Sequence, residues 1–149
     1  MASQSFSSII ADRARREPDT VVVVDAAGAT TMAELDRRAT RLARALIDLG
    51  VARDDLVEVL LPNSTEFIVA CVAAWRAGAT PMPLDPNMIS SERTELEYLA
   101  RPSVVIGPPG THRWIPTVDE TTVDETTVDE TTARSDSATP LPDVWPRSW

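Results

Sequence analysis

Residues 63–86 read Asn63-Ser64-Thr65-Glu66-Phe67-Ile68-Val69-Ala70-Cys71-Val72-Ala73-Ala74-Trp75-Arg76-Ala77-Gly78-Ala79-Thr80-Pro81-Met82-Pro83-Leu84-Asp85-Pro86, and this stretch decides the fold. Asn63 is suited to accept from free amides at a helix start, with Glu66 three residues on as in a capping box. Phe67, Ile68, Cys71, Val72 and Trp75 recur at helical spacing and predict one apolar face. Gly78 suits the left-handed residue that closes a helix. Residues 79–84 then predict a short strand, in which Pro81 and Pro83 leave few amides to donate. A helix delivered onto a short strand is half of a β-α-β unit.

The same alternation extends both ways along the chain. Residues 5–16 predict an amphipathic helix with Phe6, Ile9, Ile10 and Ala14 inward, stopped by Pro18. The four valines within residues 20–25 predict a strand buried on both faces. Ala26-Ala27-Gly28 supplies a turn, and residues 29–31 return as a short pairing strand. Thr31 caps the next helix with Glu34 at the reciprocal position. In that helix Leu35, Ala39, Leu42, Leu46 and Leu49 form one stripe, ended by Gly50, while Arg37, Arg38, Arg41 and Arg44 fall largely outside it. Residues 56–61 predict a strand stopped by Pro62. Ser90 or Ser91 opens a helix to about Ala100 that is expected to bury Leu96 and either Leu99 or Tyr98. Pro102 follows, and Val104-Val105-Ile106 predicts a last buried strand. Alternation of this kind calls for an α/β fold with a parallel or mixed sheet and right-handed crossovers.

Composition narrows the function. The 149 residues carry a net charge of −9. Residues 1–102 hold 15 acidic residues against 11 arginines, and residues 103–149 hold 8 against 3. That balance argues against nucleic acid, whose phosphates demand clustered basic residues, and against an anionic membrane surface. A single cysteine permits no internal disulfide, and no apolar run reaches the ~20 residues of a transmembrane helix. With no signal peptide visible, a cytoplasmic location is expected.

The character of the sequence changes after Gly107. Thr117-Val118-Asp119-Glu120-Thr121 occurs three times without variation, filling residues 117–131. A five-residue period matches neither helix nor strand, so a disordered acidic segment is expected over residues 108–149. An acidic interaction tail or a calcium-binding repeat is one reading. A duplication tolerated in a surface loop is the plainer one, because nothing shapes these carboxylates into a cage.

Three segments carry a resemblance. Residues 76–85, with Ala77-Gly78 and Pro83-Leu84-Asp85, look like a core motif of the adenylate-forming (AMP-binding) enzymes. Thr31-Met32-Ala33-Glu34-Leu35 resembles an earlier motif, and Leu60-Leu61-Pro62-Asn63-Ser64 with Glu66-Phe67 fits between them. That superfamily includes acyl-CoA synthetases, peptide-synthetase adenylation domains and luciferases. The resemblance covers residues 6–107 and implies a partial three-layer α/β/α N-terminal subdomain. Leu141-Pro142-Asp143-Val144-Trp145-Pro146-Arg147-Ser148-Trp149 further resembles the approach to the phosphate loop in a subset of acyl-CoA ligases, including bile-acid and steroid-acid types. The resemblance as a whole implies a fatty-acid or bile-acid/steroid-acid CoA ligase type. In the intact enzyme the family implies ATP, Mg2+ and CoA, with a carboxylic (acyl) substrate.

Adenylate formation joins two anions, so it needs backbone donors, magnesium and fixed cations where charge accumulates. The family supplies a glycine-rich loop and a lysine, but this sequence contains no lysine. Its glycines form neither phosphate-loop nor dinucleotide spacing. No catalytic, cofactor-binding or metal residue is therefore carried over. The expectation is a truncated N-terminal portion of an acyl-CoA ligase, inactive alone, which could pair with its missing C-terminal part. The alternative is a non-enzymatic module that binds a separately encoded remainder, or a full-length ligase, through an open sheet edge.

Individual side chains read as structural. His112 has no His or Cys partner for a metal site. Cys71 falls on an apolar helix face as a buried thiol rather than a nucleophile. Asp85 lies at a strand end where ligands gather in open sheets, although a turn or capping role suits it better. Glu92, Glu95 and Glu97 read as a solvated helix face. The arginines of the long helix also read as solvent-facing.

Overall fold

Two glycine-closed helices set the geometry of the chain. The computed structural model describes residues 5–107 and 113–114, and the acidic repeat lies outside them. Helix α2 (Met32–Asp48) starts at Thr31, whose hydroxyl accepts from the Glu34 amide at 3.3 Å. It closes with Gly50 at φ +91, Gly50 N donating to Ile47 O and Val51 N to Leu46 O. Helix α3 (Thr65–Arg76) closes the same way around Gly78 at φ +86, with Gly78 N on Trp75 O and Ala79 N on Ala74 O. Both are Schellman closures, which need a residue that tolerates positive φ. Each folds the chain sharply back toward its next element.

Those next elements are short strands. Strand β3 (Leu56–Val59) pairs in parallel with β4 (Thr80–Pro83) on one side. It pairs in parallel with β5 (Val104–Ile106) on the other, and β6 (Arg113–Trp114) adds antiparallel beyond β5. The order β4-β3-β5-β6 makes β3 central. Helix α4 (Ser90–Ala100) connects β4 to β5.

The core sits on one face of that sheet. Leu35, Ala39, Leu42 and Leu46 of α2 and Val69 to Ala74 of α3 enclose Val57, Val59, Val104 and Ile106. The predicted α2 stripe is thus the buried one, with Leu49 partly buried beside it. On the opposite face Glu58 meets Arg93 of α4, so helices cover both sides of the sheet. This is the α/β layering expected from the sequence.

Several local expectations are corrected. The valine run forms β1 (Val21–Asp25) and pairs with β2 (Gly28–Thr31) as expected, but among the described residues this antiparallel hairpin stands apart from the main sheet. Val24 is 74% exposed there, so the β-branched run signals a strand without signalling burial on both faces. Helix α3 is capped by Ser64 rather than Asn63, its hydroxyl accepting from Phe67 N at 3.2 Å. Helix α4 begins at Ser90 without a side-chain cap and leaves Leu96, Tyr98 and Leu99 exposed. It is tied to the sheet by charge instead of apolar packing. In α1 (Phe6–Arg16), Ile10 and Ala14 pack on the core, but Phe6 and Ile9 stay exposed. Phe6 instead stacks on Trp75, ring centroids 5.0 Å apart. Arg113 and Trp114, within the stretch expected to be disordered, form β6, whereas His112 lies outside the described residues.

Leu42 is fully buried between α2 and the sheet. Leu42→Ala should therefore cost about 2–5 kcal/mol in urea unfolding, whereas Ile47→Ala on the exposed side of α2 should stay within about 0.5 kcal/mol.

Candidate functional site

In open α/β sheets ligands gather beyond the carboxyl ends of the strands, where the strand order reverses. Here the chain runs from β3 to β4 on one side and then crosses to β5 on the other, so the reversal lies between β3 and β5. Leu60 N donates to Ile106 O at 2.7 Å and closes that pair of strands just before their ends. Pro62 and Asn63 then stand exposed ahead of α3, and Gly107 follows β5. Asp85, at the end of the outer strand β4, takes the turn role that the sequence favours for it. Its carboxylate accepts from the Asn87 backbone and side-chain amides at 2.8 and 3.2 Å, a turn role.

The amino end of α3 faces the same edge, and helix N-termini favour anions. This one already holds a carboxylate. Thr65 N donates to Asp25 Oδ2 at 2.8 Å, and Ala27 N donates to Asp25 Oδ1 at 2.9 Å. The Thr65 amide and hydroxyl, followed by the Ala27 and Gly28 amides, hold the Asp25 carboxyl below its ordinary 3.8 against the opposing effect of burial. Thr30 and Thr65 hydroxyls also approach to 3.5 Å. One aspartate thus moors the β1–β2 hairpin on α3.

The remaining buried charges also join elements. Glu58 is fully buried on β3, and its Oε1 accepts from Arg93 Nε at 3.0 Å. Arg93 Nε also lies 2.8 Å from Glu97 Oε1, so Glu97 is not part of a solvated face. Arg38 reaches Glu66 at 2.8 Å between α2 and α3, with both side chains largely covered. That corrects its solvent-facing reading, whereas Arg37, Arg41 and Arg44 are exposed as expected. Arg76 donates to the Asp36 carboxylate at 2.7 Å and to the Thr40 hydroxyl. Neither contact was read from the sequence: Arg93–Glu97 is an i,i+4 step that helical spacing offers, whereas Glu58 is a lone acid between valines. Cys71 is buried as expected, and burial pushes its thiol up to about 11, which leaves no thiolate to attack.

These residues do not fit a magnesium triphosphate. Among the described residues that follow β3, β4 and β5, Asn63, Ser64, Asp85 and Gly107 offer amide, hydroxyl and carboxylate groups but no cation. Among the described residues no three His, Cys, Asp or Glu side chains converge as metal ligands. Among the same residues no helix is long and apolar enough to cross a membrane.

Residues 10–146 match the family described as AMP-binding enzyme. The glycine betaine reductase ATRR of Emericella nidulans is 35% identical over 115 residues, covering 74% of this chain and 8% of that protein. A salicyl-AMP ligase / salicyl-S-ArCP synthetase of Mycobacterium tuberculosis is 38% identical over 111 residues, 71% of this chain and 19% of that one. Among solved structures, a Mycobacterium tuberculosis fatty acyl CoA synthetase superposes with a TM-score of 0.65 at 28% identity, covering 69% of this chain and 21% of that chain. The chain therefore spans less than a quarter of each of these three proteins.

Asp25 supplies a pH test. Because its folded pKa lies below the unfolded one, its contribution to stability is present above about pH 3.8 and is lost as pH falls through the lower folded value. Asp25→Asn should flatten that part of the acid unfolding curve, and carboxyl NMR should place the Asp25 midpoint below 3.8.

Proposed function

This chain belongs to the AMP-binding enzyme family, and on that premise we propose that it is the N-terminal portion of an ATP-dependent acyl-CoA ligase. Such an enzyme activates a carboxylate as its acyl-adenylate and then passes the acyl group to CoA. The carrying observation is the family match over residues 10–146 together with the β3-centred fold it overlays. Likeness to the fatty acyl CoA synthetase supports the thioester step. The likeness of residues 141–149 to the approach of a bile-acid or steroid-acid ligase phosphate loop supports the substrate class.

On this reading residues 1–107 are scaffold, and the family match continues beyond them to residue 146. The scaffold buttresses the sheet and walls the acyl side. On the same reading ATP, magnesium and CoA are held by residues beyond this scaffold, a reading that the lack of lysine supports. The single buried cysteine is consistent with a cytoplasmic setting. A second reading rests on the salicyl-S-ArCP synthetase relative, whose name places the acyl group on a carrier protein. It shares the adenylate and differs only in the accepting thiol.

Pyrophosphate exchange by the purified chain should equal the blank with fatty, aryl and steroid acids, and turnover above blank would sink the scaffold reading. Mixing the chain with a related ligase stripped of its matching N-terminal segment tests the family role. Recovery of CoA thioester supports the first reading, thioester on carrier protein alone supports the second, and no recovery with any acid contradicts both.

A further inference from the structure

Among the described residues, β4 and β6 are the two outer strands of the sheet. Successive residues of a strand turn their backbone groups to opposite neighbours. Thr80 N donates to Asp55 O at 2.8 Å, and Leu84 N donates to Val59 O at 3.0 Å. Thr80, Met82 and Leu84 therefore address β3, and the residues between them address the open side. Those residues are Pro81 and Pro83, and neither has an N–H. Along this span the free side of β4 presents carbonyls and no amide donor.

A regular ladder, parallel or antiparallel, requires each strand to donate as well as accept. The opposite edge is different: β6 is Arg113-Trp114, and both residues carry an N–H. We propose that Pro81 and Pro83 seal β4 against strand addition, so that β4 is the terminal strand and the sheet gains strands only on the β6 side. The identity of those added strands, as the rest of an adenylate-forming enzyme, rests on the proposed function. The sealing itself stands on hydrogen-bond direction. Its purpose is to keep an exposed edge from recruiting another copy of the chain.

The test is sedimentation velocity over a concentration series on the full chain and on Pro81→Val/Pro83→Val. Restoring two outward amides should tighten self-association by about tenfold or more at unchanged far-UV spectrum. A folded variant that sediments like the parent would overturn the proposal. Should the double variant fail to fold, Pro81→Val restores one amide in the same direction and is judged by the same comparison. No nucleotide chemistry enters this measurement, so its failure and that of the ligase reading are distinguishable.

Discussion

Strand β3 must satisfy its backbone on both edges and cover both of its faces, and most of the described structure follows from that. A parallel strand has no hairpin partner, so its neighbours arrive by crossovers that carry helices with them. Here the crossovers are α3, leading to β4, and α4, leading to β5. One face of β3 is apolar through Val57 and Val59, and α2 and α3 close over it. The other face carries Glu58, which makes the covering of that side an electrostatic matter. The Schellman closures at Gly50 and Gly78 release the chain at the angle these short crossovers need.

Among the described residues the buried charges join elements of the fold. Arg93 ties α4 to the sheet, Arg38 and Arg76 tie α2 to α3, and Asp25 ties the hairpin to α3. A buried carboxylate such as Glu58 is costly to desolvate, and removing its guanidinium partner typically costs about 3–5 kcal/mol. The pair therefore fixes where α4 lies, even though a well-packed apolar pair could match its stability. The same economy explains why α4 keeps Leu96, Tyr98 and Leu99 on its surface.

Most elements were legible in the sequence because their signals are local. Thr31 as a cap, the α2 stripe, both glycine closures and the short strands all follow from spacing and residue type. What was not legible depends on contacts distant in sequence. Four valines announce a strand, yet only the fold decides whether their hairpin joins the main sheet, and here it stands apart. Ser64 and Asn63 are equally good caps on paper, and the bend after Pro62 selected Ser64. Glu58 looks like an interruption until Arg93, 35 residues on, arrives beside it. The reversal of strand order between β3 and β5 was hidden for the same reason, since strand order is a tertiary fact. The repeat at residues 117–131 and His112 lie outside the described residues, so their readings stand as expectations.

Membership of the AMP-binding enzymes and the lack of lysine combine into one proposed account: a scaffold that positions an adenylating centre without itself gripping the nucleotide. Titration of Mg-ATP into the purified chain, followed by calorimetry, addresses that account most directly. It predicts no saturable heat at millimolar nucleotide. A stoichiometric isotherm with micromolar affinity would contradict it.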